Sequence, residues 1–243
     1  MMEMLKGIID LHYHSSPDVK PRKLNDLGLM EQGVAMGAKG AVIKTHFSPT
    51  AARAALVNQI RREKYPESDF ELFGGIALNR SVGGLNPYAL ETELKLGAKI
   101  VWLPTLDSEN EFRKAGKSGG IRLVEDGKVV PELTPIFALI RDYDVCLQTG
   151  HLSGAECFPV VEAARKAGIE KIVITHPEYH VVGMTLAQQK QIVRDYGVYL
   201  EREYAQPIGS RFVSNLSSNV EAIHEIGPEH IILATDSGQT NTP

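Results

Sequence analysis

Short runs of consecutive apolar residues recur along this chain, separated by stretches with a helical pattern. A parallel strand is buried on both faces and reads as such a run. The runs predict eight strands, near 7–12, 40–46, 70–78, 99–104, 145–150, 171–176, 198–203 and 230–236. Helices are predicted between them, near 22–38, 49–64, 86–97, 131–143, 154–167, 185–196 and 210–226. Glycines punctuate the repeat. Gly37 precedes Ala41-Val42-Ile43, Gly97 precedes Ile100-Val101-Trp102, and Gly168 precedes Ile172-Val173-Ile174. Gly197 and Gly227 stand likewise before the last two strands. A helix end commonly needs one left-handed residue, which glycine supplies without a Cβ clash. Ser48-Pro49 and Asn86-Pro87 place prolines in first helical turns, where the missing N–H costs nothing.

Strands alternating with helices imply a parallel sheet. Eight of them favour a (β/α)8 TIM-type barrel over an open doubly wound sheet, and no Gly-x-Gly-x-x-Gly follows the first strand. The 243 residues suit a single barrel domain spanning 1–243, since such barrels run to roughly 250 residues. Two departures from a plain barrel are expected. Asp107 to Pro131 forms an insertion after strand four, and its Glu125-Asp126-Gly127-Lys128 core reads as a β-hairpin placed to cover the site. The chain also reaches Pro243 soon after strand eight, so the closing helix is absent and either truncation or a partner accounts for it.

Composition narrows the function classes. Apolar residues make up 43%, enough for a substantial core. A net charge of −4 argues against a nucleic-acid partner, which wants a basic face. No run reaches the ~20 apolar residues of a membrane span, and Met1 to Lys6 lacks the apolar core of a signal peptide. Cys146 and Cys157 offer no disulfide framework and read as buried free thiols. A cytoplasmic protein is expected, free of nucleic acid and membrane, acting on a small-molecule substrate and compatible with a homo-oligomer.

The chemistry lies where the strands end. His12 and His14 close strand one, Lys44 and His46 strand two, His151 strand five, His176 strand six and Asp236 strand eight. In a βα barrel, strand ends of this kind assemble the active site. Side chains alternate along a strand, so His-x-His sends both imidazoles to one face, with Asp10 below them. Histidines with a carboxylate match a borderline divalent metal, zinc first, with a position left open for water. Arg80, Asn79, Lys44 and Arg202 near strand ends would make the mouth cationic and favour an anionic substrate. Glu201 at the end of strand seven is open to several roles: a further acid, a substrate contact, a partner for a histidine N–H, or a solvated residue. His180 reads as another rim group, while His224 and His230 face the opposite end.

In Asp10-Leu11-His12-Tyr13-His14, Thr149-Gly150-His151, Thr175-His176 and Ala234-Thr235-Asp236 the chain resembles the amidohydrolase superfamily, metal-dependent hydrolases on a (β/α)8 barrel. The resemblance spans almost the whole chain. It implies that His12, His14 and Asp236 hold the metal. His151 and His176 would serve a second ion, or act as ligand and catalytic histidine, and Asp236 would relay the proton of a metal-activated water. One departure is plain: strand four ends Trp102-Leu103-Pro104-Thr105, without the bridging lysine of many binuclear members. Lys44 is the one strand-end lysine, open to three roles: a cation for a substrate anion, a relocated carbamate bridge, or a solvated rim residue. The expected activity is hydrolysis of a small anionic amide, lactone, ester or phosphoester. A lyase or decarboxylase on the same barrel, or a non-catalytic binding barrel, are the rivals.

Overall fold

The computed structural model describes residues 6–208 and 211–242. Met1 to Leu5 and Pro243, on which the readings of the two termini fall, lie outside the described residues. Strands and helices alternate as β1 (Ile9–Tyr13), α1 (Asp26–Met36), β2 (Gly40–Ile43), α2 (Ala51–Lys64), β3 (Glu71–Phe73), β4 (Gly75–Ala77), α3 (Pro87–Lys95) and β5 (Ile100–Trp102). There follow α4 (Glu109–Lys114), β6 (Val124–Glu125), β7 (Lys128–Val129), α5 (Leu133–Asp142), β8 (Cys146–Gln148), α6 (Gly154–Lys166), β9 (Ile172–Thr175) and α7 (Leu186–Tyr196). The chain then runs through β10 (Tyr199–Glu203), β11 (Ala205–Ile208), β12 (Arg211–Ser214), α8 (Leu216–Ile226) and β13 (Ile231–Ala234). No described helix is long and apolar enough to cross a membrane.

This is an α/β fold whose main strands pair in parallel, as β1-β2-β3 and as β13-β10-β9-β8-β5-β4. Alternation sorts their side chains. Val101, Leu103, Leu147, Ile174 and Leu200 face the helices and join the main core with Leu90, Phe137, Val160 and Ile192. Val42, Ala77, Ile100 and Trp102 pack into a smaller cluster on the opposite face, with Leu11 and Cys146 against it. Gly37 and Gly197 end α1 and α7 in the left-handed conformation, as the punctuation requires.

Four local expectations need correction. The third predicted strand is interrupted at Gly74, because the start of α2 docks there: a Cβ on Gly74 would lie 2.4 Å from Ala51 Cα. Thr50, not Ser48, caps α2, and Glu93 Oε1 accepts from the Thr50 and Ala51 amides at 2.8 and 2.5 Å. The last helix begins at Leu216 instead of near 210, since β11 and β12 pair antiparallel before it. β6 and β7 also pair antiparallel, through Val124 with Val129 and Glu125 with Lys128. None of their residues lines the cavity that holds the strand-end histidines, so they do not cover it. The other hairpin does, through Gln206, Pro207, Ile208 and Phe212. Cys146 and Cys157 are free thiols, and burial pushes both up to about 12.

Candidate metal centre

Five imidazoles form a closed ring at the ends of the parallel strands. Successive ring centroids are 5.3 Å apart for His12–His14, 5.2 Å for His14–His46, 5.7 Å for His46–His151, 5.1 Å for His151–His176 and 6.0 Å for His176–His12. All five line a cavity of about 970 Å³, together with Lys44, Tyr179 and Asp236.

Within this ring the tightest convergence is His12, His14 and Asp236, whose donor atoms lie within 4.8 Å of one another. Asp236 Oδ1 is 3.3 Å from His12 Nε2 and 3.1 Å from His14 Nε2. The backbone is turned to achieve this. Asp236 and His176 have φ of 45° and 27°, a region costly for residues with a Cβ and frequent at functional sites.

Behind His12 lie two carboxylates on the inward positions of β10. His12 Nδ1 has one hydrogen, and Glu201 Oε1 at 3.0 Å is aligned to accept it. Glu203 Oε1 sits 2.9 Å from the same nitrogen, yet neither of its oxygens has a hydrogen-bond partner among the described residues. Gln148 Nε2 donates to Glu201 Oε2 and Trp102 Nε1 donates to Gln148 Oε1, so the chain of bonds reaches the interior of the sheet. Burial and Lys44 lower the His12 pKa, but Asp236, Glu203 and Glu201 outweigh them and push it up to about 10. Burial takes His14 down to about 4 against the pull of Asp236. Burial opposes ionisation of Asp236, while His12, His14 and Lys44 hold its carboxyl well below the usual range. Burial raises Glu203 well above its usual range.

The remaining predicted residues fall into two groups. Lys44 is fully buried, lines the cavity, and lies 5.4 Å from the Trp102 ring centroid with no hydrogen-bond partner for Nζ among the described residues. Burial lowers its pKa, against the attraction of Asp236, Glu201 and Glu203. His151 and His176 stand in the ring, and His180 also lines the cavity. Asn79, Arg80, Glu201 and Arg202 do not line it. Asn79 instead ties two loops, donating to the His46 carbonyl and to Thr105 Oγ1. Arg80 lies over Phe112 and donates to the Gly119 carbonyl. Arg202 points the other way along β10, into Gln189, Ser218 and Asn219. The cationic mouth therefore reduces to Lys44 and Lys20. Asp10 accepts from Thr235 Oγ1 at 2.6 Å, tying β1 to the end of β13.

Sequence reasoning missed Glu203, Tyr179 and Glu111. Glu203 was signalled by its two-residue spacing from Glu201. Tyr179 and Glu111 carry no such signal. The Tyr179 ring stacks on His176 at 4.3 Å, and its hydroxyl lies 2.5 Å from the Ala205 carbonyl and 3.1 Å from Asp236 Oδ2.

Residues 7–201 match a family of unknown function, DUF6282. The chain belongs to the DUF6282 family. No curated protein matches it. Solved structures share the fold of this DUF6282 member at low identity. An amidohydrolase from Pseudomonas aeruginosa superposes with a TM-score of 0.66 at 14% identity, over 100% of this chain and 77% of that one. A dipeptidase described as a metallopeptidase gives 0.62 at 12%, over 98% and 87%. A dihydroxybenzoic acid decarboxylase from Polaromonas sp. JS666, with bound manganese and the inhibitor 2-nitroresorcinol, gives 0.50 at 13%, over 96% and 86%. The DUF6282 chain thus has structural neighbours in the amidohydrolase superfamily, and at these identities the likeness is one of fold.

Proposed function

We propose that this protein is a metal-dependent hydrolase acting on a small anionic substrate. One observation carries the reading: a single carboxylate oxygen of Asp236 within 3.3 Å of two imidazole nitrogens, on the wall of a cavity large enough for a small molecule. The donor set fits a metal. His12 Nε2 is buried with no hydrogen-bond partner among the described residues, and two nitrogens with one carboxylate suit zinc or a similar divalent ion. His12, His14 and Asp236 would hold the ion, with His151 as a further ligand. Such an ion supplies a water that ionises near pH ~7 and polarises a carbonyl or phosphoryl oxygen.

The chain's own residues do the rest. Asp236 accepts a proton from the attacking water and returns it to the leaving group. His176, stacked on Tyr179, faces the cavity to hydrogen-bond the developing oxyanion. Lys44 offers an unpaired buried ammonium to a substrate carboxylate or phosphate. Glu201 holds His12 through Nδ1 and so fixes the direction of Nε2.

The same reading takes the two parallel sheets as one closed eight-stranded barrel. Supporting it, β3 and β4 are separated only by Gly74, while Tyr13 bridges Ser237 in parallel and His14 N donates to the Ser237 carbonyl at 2.9 Å.

A decarboxylase is the second reading, favoured by the absence of a lysine at the end of β5 and by the decarboxylase neighbour. The test is to load the protein with zinc or manganese and offer a panel of carboxylated amides, lactones, esters and phosphoesters in ¹⁸O-water. Hydrolysis places ¹⁸O in the acid released, a carboxylate from amides, lactones and esters or a phosphate from phosphoesters. Carbon dioxide release without that label supports the lyase instead, and a wild-type protein that retains no metal sinks both.

A further inference from the structure

The segment between β5 and α5 carries the short helix α4, and three residues at its start converge on one histidine. Ser108 Oγ and Asn110 Nδ2 donate to the His151 carbonyl at 3.2 and 3.0 Å. Glu111 Oε2 lies 2.8 Å from His151 Nδ1. The same helix grips the loop that follows His176, because Asn110 donates to the Val181 carbonyl and Lys114 to that of His180.

A neutral imidazole has one N–H and one bare nitrogen, and an ionised carboxylate accepts without donating. At 2.8 Å Glu111 therefore takes the hydrogen of Nδ1. The hydrogen cannot then be on Nε2. Ser108 and Asn110 fix the backbone of His151, and Glu111 fixes its ring. Only a bare nitrogen can ligate an ion or accept a proton.

We propose that Glu111 is a positioning residue that holds His151 as the Nδ1–H tautomer and leaves its Nε2 lone pair free to act in the cavity. The tautomer follows from the contact alone; its use as a ligand rests on the metal-centre reading above. The insertion thereby gains a purpose that its sequence does not disclose: it finishes the environment of a histidine presented by a different strand.

Two measurements test this on the full chain. The first is two-bond ¹H–¹⁵N correlation of histidine-labelled, metal-free protein, with the His151 signals assigned by loss in His151→Gln. Wild type is expected to show His151 protonated on Nδ1. Glu111→Gln should keep that pattern, because its amide oxygen still accepts, whereas Glu111→Ala should move the hydrogen to Nε2 in at least part of the population. The second measurement is zinc titration of the metal-free variants, where Glu111→Ala should bind roughly 10–100-fold more weakly and Glu111→Gln should recover most of the loss. A wild-type His151 protonated on Nε2, or a tautomer unchanged in Glu111→Ala, overturns the assignment. The expected tautomer in a protein that takes up no zinc upholds Glu111 and overturns only the metal reading.

Discussion

His14 Nε2 and Asp236 Oδ1 stand 3.1 Å apart, and this contact joins the end of the first strand to the end of the last. Beside it, the His14 amide donates to the Ser237 carbonyl, so backbone and side chains meet at one seam. Because His12 shares the same oxygen at 3.3 Å, removing the carboxylate strips both imidazoles of their common partner. Asp236→Ala and His12→Ala should each lower metal retention by more than about tenfold, since even a partner of a ligand is worth 10–100-fold. Both should abolish turnover and keep the far-ultraviolet circular dichroism of wild type, because the large apolar core lies between the strands and helices. Near-normal metal content in Asp236→Ala would remove the basis for the proposed centre.

His12 sets a pH dependence. With its pKa pushed up to about 10, the metal-free protein carries a proton there that an ion must displace. His14, held down to about 4, releases none near neutrality. Apparent zinc affinity should therefore fall about tenfold for each pH unit below 10, with about one proton released per ion near neutrality. Calorimetry in buffers of different ionisation enthalpy reads that proton directly. The stability of the metal-free protein follows from the same shift. A raised folded-state pKa contributes stability that is fully present below the unfolded value of about 6.5 and lost as pH rises toward 10. Denaturant melts of metal-free protein should show that decline, and a flat profile from neutrality to pH 10 would contradict it.

Much of this was legible in the sequence, for identifiable reasons. The strands announce themselves because burial on both faces demands unbroken apolar runs, and all eight predicted runs contain strands. His12, His14, His151, His176 and Asp236 could be singled out because each follows such a run, and all five line one cavity. Most errors arose where the cause is tertiary. Nothing local in Phe70-Glu71-Leu72-Phe73-Gly74-Gly75-Ile76 tells that α2 docks on Gly74. Arg80 and Arg202 were assigned to the mouth from position along their strands, whereas alternation alone directs Arg202 to the helix side of β10. Tyr179 and Glu111 come from loop and insertion, where no periodicity fixes direction.

Gly238 is a position that sequence reading passed over and geometry singles out. Its φ is +90°, and a Cβ built there would lie 1.9 Å from the His14 carbonyl oxygen. Alanine must then move the seam that holds His14 against Asp236. Left-handed strain costs ~1–2 kcal/mol and overpacking ~1–3 kcal/mol. Gly238→Ala should destabilise the fold by roughly 2–5 kcal/mol, about 4–20 °C in Tm for a chain of this size. Metal affinity should fall as well, which separates this site from an ordinary packing defect. An alanine variant with wild-type Tm and wild-type zinc affinity would show that the seam tolerates displacement.

Lys44 distinguishes the ways in which this site can work. It shares a face of its strand with Val42 and His46, and the side chain reaches the cavity fully buried, above Trp102. An unpaired ammonium in such a place is costly, and a substrate anion would satisfy it. If that is its role, Lys44→Met should leave metal content unchanged and raise KM for an anionic substrate by roughly 10–100-fold, the worth of a charge-assisted hydrogen bond of ~1.5–3 kcal/mol. A carbamate on Lys44 predicts the opposite split. Metal content would then drop in Lys44→Met and in wild type reconstituted without carbon dioxide, and added short carboxylic acids would partly restore it. Burial lowers the pKa of Lys44 against the attraction of Asp236, Glu201 and Glu203, but its Nζ has no partner among the described residues and faces the cavity that a substrate anion would enter. The ammonium role is therefore the expected result. A loss of metal in Lys44→Met that depends on carbon dioxide would reverse that assignment and make the centre binuclear.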